Sequence, residues 1–315
     1  MNNRIKILLL AALSLILIGI FLFANVGANW GYIVPRRALK VGAIVITGVA
    51  IAFSTIIFQT ITNNRILTPS IMGLDSLYLV FQTYIVYMFG STSILVVNQN
   101  YNFLLSMLLM VLFAALFYKI LFAKERRNIY MLLLIGIIFG TLFDSIATFM
   151  QVLIDPNEFL MVQSRMFASF NQINADVLWV ASIVLLIATA YFMRFYKYLD
   201  VLSLGREEAI NLGVPYDTAV KHLLVIVSIL VSIATALVGP ITFLGLLVAN
   251  VAYEVFKTYK HSYLIVGGIL ISIIALVGGQ LLIERVFTFS TTLSVIINFI
   301  GGVYFIYLLL RGNRT

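Results

Sequence analysis

The sequence contains no cysteine, few charged residues and only two histidines. Without cysteine the chain forms no disulfide and offers no thiolate for catalysis or metal binding. Charged residues make up 10% of the chain, against roughly 25% in soluble globular proteins, and hydrophobic residues make up 62%. The mean hydropathy is +1.09. This composition predicts an integral membrane protein.

Motifs for metal, nucleotide or covalent chemistry are also missing. His222 and His261 are isolated and have no ligand spacing such as H-E-x-x-H, so we predict no metal site. No lysine follows a glycine, which excludes the phosphate-binding loop G-x-x-x-x-G-K-[ST]. We find neither G-x-S-x-G nor a paired nucleophile and base. The chain is therefore predicted not to be an enzyme and to bind no cofactor.

Long apolar runs dominate what is present. A transmembrane helix needs about 20 mostly apolar residues, and ten such runs occur. They lie at approximately 5–26, 38–61, 71–90, 102–122, 129–154, 176–194, 219–239, 241–257, 262–283 and 292–310. The runs are continuously apolar, without the alternation of barrel strands. We predict an all-α polytopic membrane protein with about ten transmembrane helices in one domain, residues 1–315.

The basic residues are distributed asymmetrically over the predicted loops. With an even number of spans both termini share a side, and the positive-inside rule assigns that side to the cytoplasm. The residues then facing inward are Arg4, Lys6, Arg65, Lys119, Lys124, Arg126, Arg127, Arg194, Lys197, Arg206, Lys221, Lys257, Lys260, Arg311 and Arg314. Those outside are Arg36, Arg37, Lys40, Arg165 and Arg285. The net charge of +8 therefore indicates membrane orientation rather than nucleic-acid binding.

A short charged segment, LSLGREEAINLGVP (202–215), interrupts the apolar pattern on the predicted cytoplasmic side. Gly205 and Gly213 bracket about two helical turns, and Pro215 follows, as is typical of a helix stop. We expect Ala209 and Leu212 to face one surface and the charged residues another. A helix this short needs a packing partner. It is either a solvated loop helix or a docking element for a soluble protein.

Four segments resemble the FecCD-type permeases, the membrane subunits of ABC importers for iron-siderophore complexes, haem and vitamin B12. LDVLSLGREEAINLGV (199–214) is similar to the family's cytoplasmic coupling segment, and residues 36–76 resemble its first signature. In that signature the matching residues are Gln59, Asn64, Leu67, Pro69 and Gly73, while Arg65 replaces a proline. GPITFLGLLVANVAYEV (239–255) has Ala249 and Asn250 at a Pro-His position, and GGVYFIYLLLR (301–311) has Val303 for a proline.

The resemblance implies the type II ABC importer architecture and its partners. Two permease subunits, identical or different, would enclose a pathway, two cytoplasmic ATPases would bind ATP and magnesium, and an extracytoplasmic binding protein would deliver the ligand. The location would be the bacterial cytoplasmic membrane. The residues that would couple to the ATPase are Leu204, Gly205, Arg206, Glu207, Glu208, Ala209, Asn211, Leu212 and Gly213.

Further site residues follow partly from the resemblance and partly from charge. Arg36, Arg37 and Arg285 would dock acidic groups of the binding protein, although Arg36 and Arg37 are also suitable membrane anchors. Arg285 could instead pair with Glu284. The candidates for the pathway are Gln59, Asn64, Asp144 and Asn250. Asp144 lies within an apolar span, where a carboxylate must face a pore, a partner or water; we place Asp75 near the membrane interface.

The cargo implied by the resemblance is a ferric siderophore, with iron carried inside an organic chelate. The loop before the last helix reads TTLSVI (291–296), with Thr292, Ser294 and Ile296 replacing the family's Glu, Pro and Gly. Together with Asn250, this favours the catechol-siderophore branch over haem or vitamin B12. An alternative of another class is a secondary transporter driven by an ion gradient, for which Asp144 is the candidate coupling acid.

Overall fold

The computed structural model describes residues 2–27, 29–121, 129–171, 173–288 and 291–312. The α-helices of this part are α1 (Asn3–Phe23), α2 (Trp30–Thr62), α3 (Leu74–Phe89), α4 (Ile94–Val97), α5 (Gln99–Leu121), α6 (Ile129–Leu153), α7 (Pro156–Met166), α8 (Ala175–Met193), α9 (Tyr196–Leu202), α10 (Arg206–Asn211), α11 (Tyr216–Val238), α12 (Leu244–Phe256), α13 (His261–Arg285) and α14 (Leu293–Gly312). A 3-10 helix, Pro69–Met72, precedes α3.

The helices agree with the predicted membrane spans. Seven of them in the described part are long and apolar enough to cross a membrane, namely α1, α2, α5, α6, α8, α11 and α13. Three shorter apolar helices, 74–89, 244–256 and 293–307, occupy the remaining predicted runs. The prediction of an all-α bundle with about ten membrane helices is confirmed. Helix α2 begins at Trp30, earlier than the predicted 38, and includes Pro35, which lacks the N–H for one intrahelical hydrogen bond.

Contacts between helix ends define two faces of the bundle. On the terminal face, where α1 begins, the Lys6 ammonium donates to the carbonyl of Val255 near the end of α12. The Asn63 side chain, just after α2, lies 3.7 Å from where a Cβ on Gly205 would stand. Helix α2 follows α1 back across the bundle, so its end at Asn63 lies on the face where α1 begins. The coupling segment, which lies beside Asn63, is therefore on the same face as the N-terminus.

The basic residues follow these two faces. Elements that begin or end at the terminal face carry Arg4, Lys6, Arg65, Lys119, Arg194, Lys197, Arg206, Lys221, Lys257, Lys260 and Arg311. The opposite face carries Arg36, Arg37, Lys40, Arg165 and Arg285. The predicted inward residues Lys124, Arg126, Arg127 and Arg314 lie outside the described residues.

Two of the predicted spans are interrupted rather than continuous. The run predicted at 71–90 is helical as α3 only from Leu74, and the run predicted at 241–257 only from Leu244. Proline and glycine explain both breaks: Pro69 and Gly73 precede α3, while Gly239 (φ +99°) and Pro240 precede α12. Residues 63–73, which we call the connecting segment, run from the terminal face into the bundle.

The connecting segment reaches α6 through a contact between glycines. Gly73 has φ +76°, and a Cβ at this residue would lie 2.8 Å from the backbone nitrogen of Gly140. A Cβ at Gly136 would lie 3.1 Å from the Cα of Met72. Gly136 and Gly140 are one helical turn apart, so the absence of side chains at both lets the segment approach the α6 backbone.

We predict that Gly73→Ala destabilises the protein. The left-handed backbone costs a non-glycine residue about 1–2 kcal/mol, and the clash with Gly140 adds to it. The apparent melting temperature in detergent should fall by at least about 3 °C. Gly278→Ala is the control, because no atom lies within 4 Å of its added Cβ. Equal melting of the two variants would contradict the close contact.

Candidate functional site: coupling segment, central cavity and opposite-face cleft

The predicted helix within the coupling segment is present. Helix α10 spans Arg206–Asn211, and the glycines on either side, Gly205 and Gly213, have φ values of +110° and +80°. Apolar side chains anchor the segment to the bundle. Those buried are Leu199, Leu202, Ala209 and Val214.

The outward surface of this segment is partly apolar. Leu204, Ile210 and Leu212 are 58%, 49% and 64% exposed, and the neighbouring charged or polar side chains exposed with them are Arg206, Glu207, Glu208 and Asn211. The expectation that Ala209 and Leu212 share a surface is wrong. Ala209 faces the bundle, whereas Leu212 lies just past the helix end and points away. The sequence did not indicate Ile210 as part of this surface, because a single apolar residue does not stand out in a chain that is mostly apolar.

Three of the predicted pathway residues meet at the start of the connecting segment. The side-chain amides of Gln59 and Asn250 donate to the carbonyl of Arg65, with N–O distances of 2.7 and 2.9 Å. Asn64 accepts a hydrogen bond from the backbone N–H of Ile66. The two amides provide hydrogen bonds to the Arg65 carbonyl, which lies beyond the end of α2 and outside regular helical hydrogen bonding. The structure thus joins two signature segments distant in sequence.

A small cavity lies where the two interrupted spans meet. Its volume of about 20 Å³ suits one water-sized occupant. The polar side chains lining it are Ser54, Thr55, Thr68, Ser70, Asp75, Thr235 and Thr242. The carboxylate of Asp75 accepts a 2.8 Å hydrogen bond from the Thr235 hydroxyl. Placing Asp75 near the interface was wrong, because the connecting segment carries it between the helices.

Asp144 does not line this cavity but lies nearby on the exposed side of α6, within electrostatic reach of Asp75. Its neighbours Thr141, Ser145 and Thr148 are also exposed, but each hydroxyl donates to a carbonyl one turn earlier in its own helix. A carboxylate has no proton to donate in this way. No hydrogen bond or ion pair joins the Asp144 side chain to another described residue. The face of α6 that carries Asp144 is therefore not suited to contact with lipid alone.

A wide cleft of about 680 Å³ opens on the opposite face between the starts of α2 and α8. The charged residues lining it are Arg36, Arg37, Lys40 and Glu284. The Arg36 guanidinium is exposed and lies 4.2 Å from the centre of the Tyr32 ring. Of these charged side chains it is the most open to a partner.

The other basic side chains in or beside this cleft hold parts of the fold together. Arg37 donates to the carbonyls of Phe21, Leu22 and Ala24, which end α1. Arg285 also donates to the carbonyl of Ala24, at 2.8 Å. Glu284 pairs with Lys40 at 3.0 Å, so the alternative pairing of Glu284 with Arg285 was wrong.

Comparison with known proteins decides the family. The sequence model of the FecCD transport family matches residues 5–311. The chain belongs to the FecCD transport family. The match includes the coupling segment, the connecting segment and Asp144, and it makes this chain a transport component rather than an enzyme.

Relatives of this chain include permeases whose names state a substrate. The chain is 64% identical over 315 residues to the petrobactin import system permease protein YclO of Bacillus subtilis (strain 168), covering 100% of both chains. It is 37% identical over 279 residues to the petrobactin import system permease protein FatC of Bacillus anthracis, covering 89% of this chain and 79% of that protein. A solved inward-facing metal-chelate type ABC transporter matches with a TM-score of 0.81 at 20% identity, over 98% of this chain and 99% of that one.

This structural match confirms the predicted fold, and the sequence model carries the family. Within that fold the sequence had indicated the surface helix and the two signature loops. It had not indicated Asp75 with Thr235, nor the pairing of His261 with Asp200 described below. Each of these pairs joins residues more than 60 positions apart, so no spacing in the sequence could reveal it.

Proposed function

We propose that this chain is the membrane subunit of an ATP-driven importer of a catecholate-type ferric siderophore, with petrobactin as the first cargo to test. The observation that carries the proposal is the exposed α10 helix on the terminal face, held between two glycines on a membrane bundle. The names of the relatives at 64% and 37% identity support the choice of petrobactin.

The coupling segment supplies the docking surface for an ATPase. Its outward side combines Leu204, Ile210 and Leu212 with the charges of Arg206, Glu207 and Glu208. An apolar centre surrounded by charged groups is the usual composition of a protein interface. The ATP and magnesium belong to that partner, and this chain binds no cofactor. Rigid-body motion of the ATPase would enter the membrane bundle through α10.

The α6 face around Asp144 borders the pathway between this chain and a second permease subunit. A carboxylate in a span is stable when water or a polar partner reaches it. Helix α1, in contrast, exposes leucines and isoleucines along most of its length, which suits lipid. The cargo carries its iron as a chelate, so polar contacts along the pathway suffice and no metal ligand is required.

The terminal face is proposed to be cytoplasmic, with both termini inside. Eleven of the described basic residues lie on elements that begin or end at that face, against five on the other, in line with the positive-inside rule. The ATPase would then bind inside the cell. The opposite-face cleft would meet the binding protein.

The test of function is uptake into proteoliposomes. Ferric petrobactin should accumulate only when the second permease, the ATPase, ATP and the loaded binding protein are all present. Omission of ATP should reduce uptake to background. Accumulation driven by a proton or sodium gradient without any ATPase would instead support a secondary transporter and overturn the proposal.

Two single-cysteine variants test the predicted interfaces, since the chain has no cysteine of its own. A photo-crosslinker on Glu208→Cys should capture the ATPase, and one on Asp144→Cys should capture the second permease subunit. Arg285→Cys, on the opposite face, is the control for the first, and Leu15→Cys on α1 is the control for the second. Capture by the controls alone, or by none of the four, would remove the assigned interfaces.

Arg36 is the strongest candidate for docking the binding protein. Arg36→Glu should weaken binding-protein affinity at least about tenfold, the change expected when a charged pair at an interface becomes repulsive. Its melting temperature should not change, because Arg36 holds no helix end. Arg37→Ala should lower the melting temperature, since three carbonyls lose their donor, and should leave the affinity for the binding protein unchanged. Unaltered affinity in Arg36→Glu would exclude this docking site.

A further inference from the structure

A chain of three side chains joins the coupling segment to two membrane helices. The ring Nδ1 of His261, the first residue of α13, lies 2.6 Å from Oδ1 of Asp200 in α9. The other ring nitrogen, Nε2, lies 2.8 Å from the hydroxyl of Thr60, near the end of α2. His261 is 2% exposed and Thr60 4% exposed. The imidazole therefore bridges α9 to α2 inside the protein.

The same carboxylate also holds the start of α13. The backbone N–H of His261 donates to Oδ1 of Asp200 at 3.0 Å. No side-chain bond caps α13 from Lys260, its own N-cap residue. Asp200 thus supplies from α9 both a partner for the ring and an acceptor for an unpaired N–H. A negative charge at this position is also favoured by the helix dipole.

This link differs in kind from the other contacts of the coupling segment. Leu199, Leu202 and Ala209 hold the segment by apolar packing, which resists separation but constrains rotation and sliding less than a directed bond does. Among the described residues, Asp200 is the one side chain of 199–214 with a hydrogen bond or ion pair to a helix that does not adjoin the segment. Arg206 contacts the helix that follows, through Asp217 at 3.7 Å and the Tyr216 ring at 5.7 Å from its centre.

We propose that Asp200, His261 and Thr60 are positioning residues that fix the orientation of the coupling segment against α2 and α13. Motion received at α10 is thereby passed to these helices instead of being lost as rotation of the segment. The inference rests on the proposed coupling of α10 to an ATPase. None of the three side chains needs to contact ATP, the ATPase or the cargo.

The test compares uptake with ATP hydrolysis in the complete reconstituted transporter, with ferric petrobactin as the probe. His261→Ala should assemble and hydrolyse ATP within about twofold of wild type, while uptake per ATP falls roughly tenfold. That factor corresponds to about 1.4 kcal/mol, near the lower end of what a hydrogen bond to a charged group contributes. His222→Ala is the matched control. It replaces the other histidine, which is half-buried on α11 and stacks on the Phe195 ring.

Two conservative variants keep the inference testable where His261→Ala does not assemble. His261→Asn retains a donor near Nδ1 and so keeps the side-chain link to Asp200, whereas His261→Gln extends toward Thr60 and loses that side-chain link; the backbone N–H bond to Asp200 remains in both. Uptake per ATP should be higher in His261→Asn than in His261→Gln. Equal values, or the reverse order, would overturn the inference, as would unchanged uptake per ATP in His261→Ala.

A crosslinking arm separates this inference from the proposed function. The photo-crosslinker on Glu208→Cys is placed in both the wild-type and His261→Ala backgrounds. Capture of the ATPase in both, with uptake per ATP unchanged by His261→Ala, would overturn the positioning role alone. Failure to capture the ATPase in the wild-type background would overturn the coupling role of α10, and the positioning role with it.

Discussion

Backbone groups at helix ends must find partners where water is scarce, and this requirement shapes the whole bundle. Each unsatisfied peptide group in an apolar medium costs several kcal/mol. The partners here come from other helices. Arg37 of α2 binds the last carbonyls of α1, and Asp200 of α9 accepts from the first N–H of α13. Such bonds make these two helix ends junctions between elements, so α1 is held to α2 and α13 is held to α9.

The two interrupted spans extend this rule into the interior. The connecting segment leaves helical geometry after Asn63, yet its carbonyl at Arg65 receives two side-chain amides. The other end of the segment packs backbone to backbone on α6 at Gly140. Irregular backbone within a membrane protein is tolerated where it is covered by protein or lines a cavity. Here it connects the region beside α10 to the helix that carries Asp144.

Charged residues divide into those that hold the fold and those that remain open to partners. Of the three arginines first considered for docking, Arg37 and Arg285 bind the end of α1, and Arg36 stays exposed over Tyr32. The two histidines also differ. His222 is half-buried on α11 and stacks on Phe195, whereas His261 is buried between a carboxylate and a hydroxyl. Residue type alone does not distinguish Arg36 from Arg37 and Arg285. It likewise does not distinguish His222 from His261.

The sequence by itself determined the membrane class, the helical spans and the short helix between Gly205 and Gly213, because hydrophobic length and glycine position act locally. Only the tertiary structure decided which polar groups are paired. Asp75 with Thr235 and His261 with Asp200 lie 160 and 61 residues apart, and Leu212 turned outward although it shares a short helix region with Ala209. Hydrogen bonds and burial depend on distances in space, which local patterns of residues do not fix.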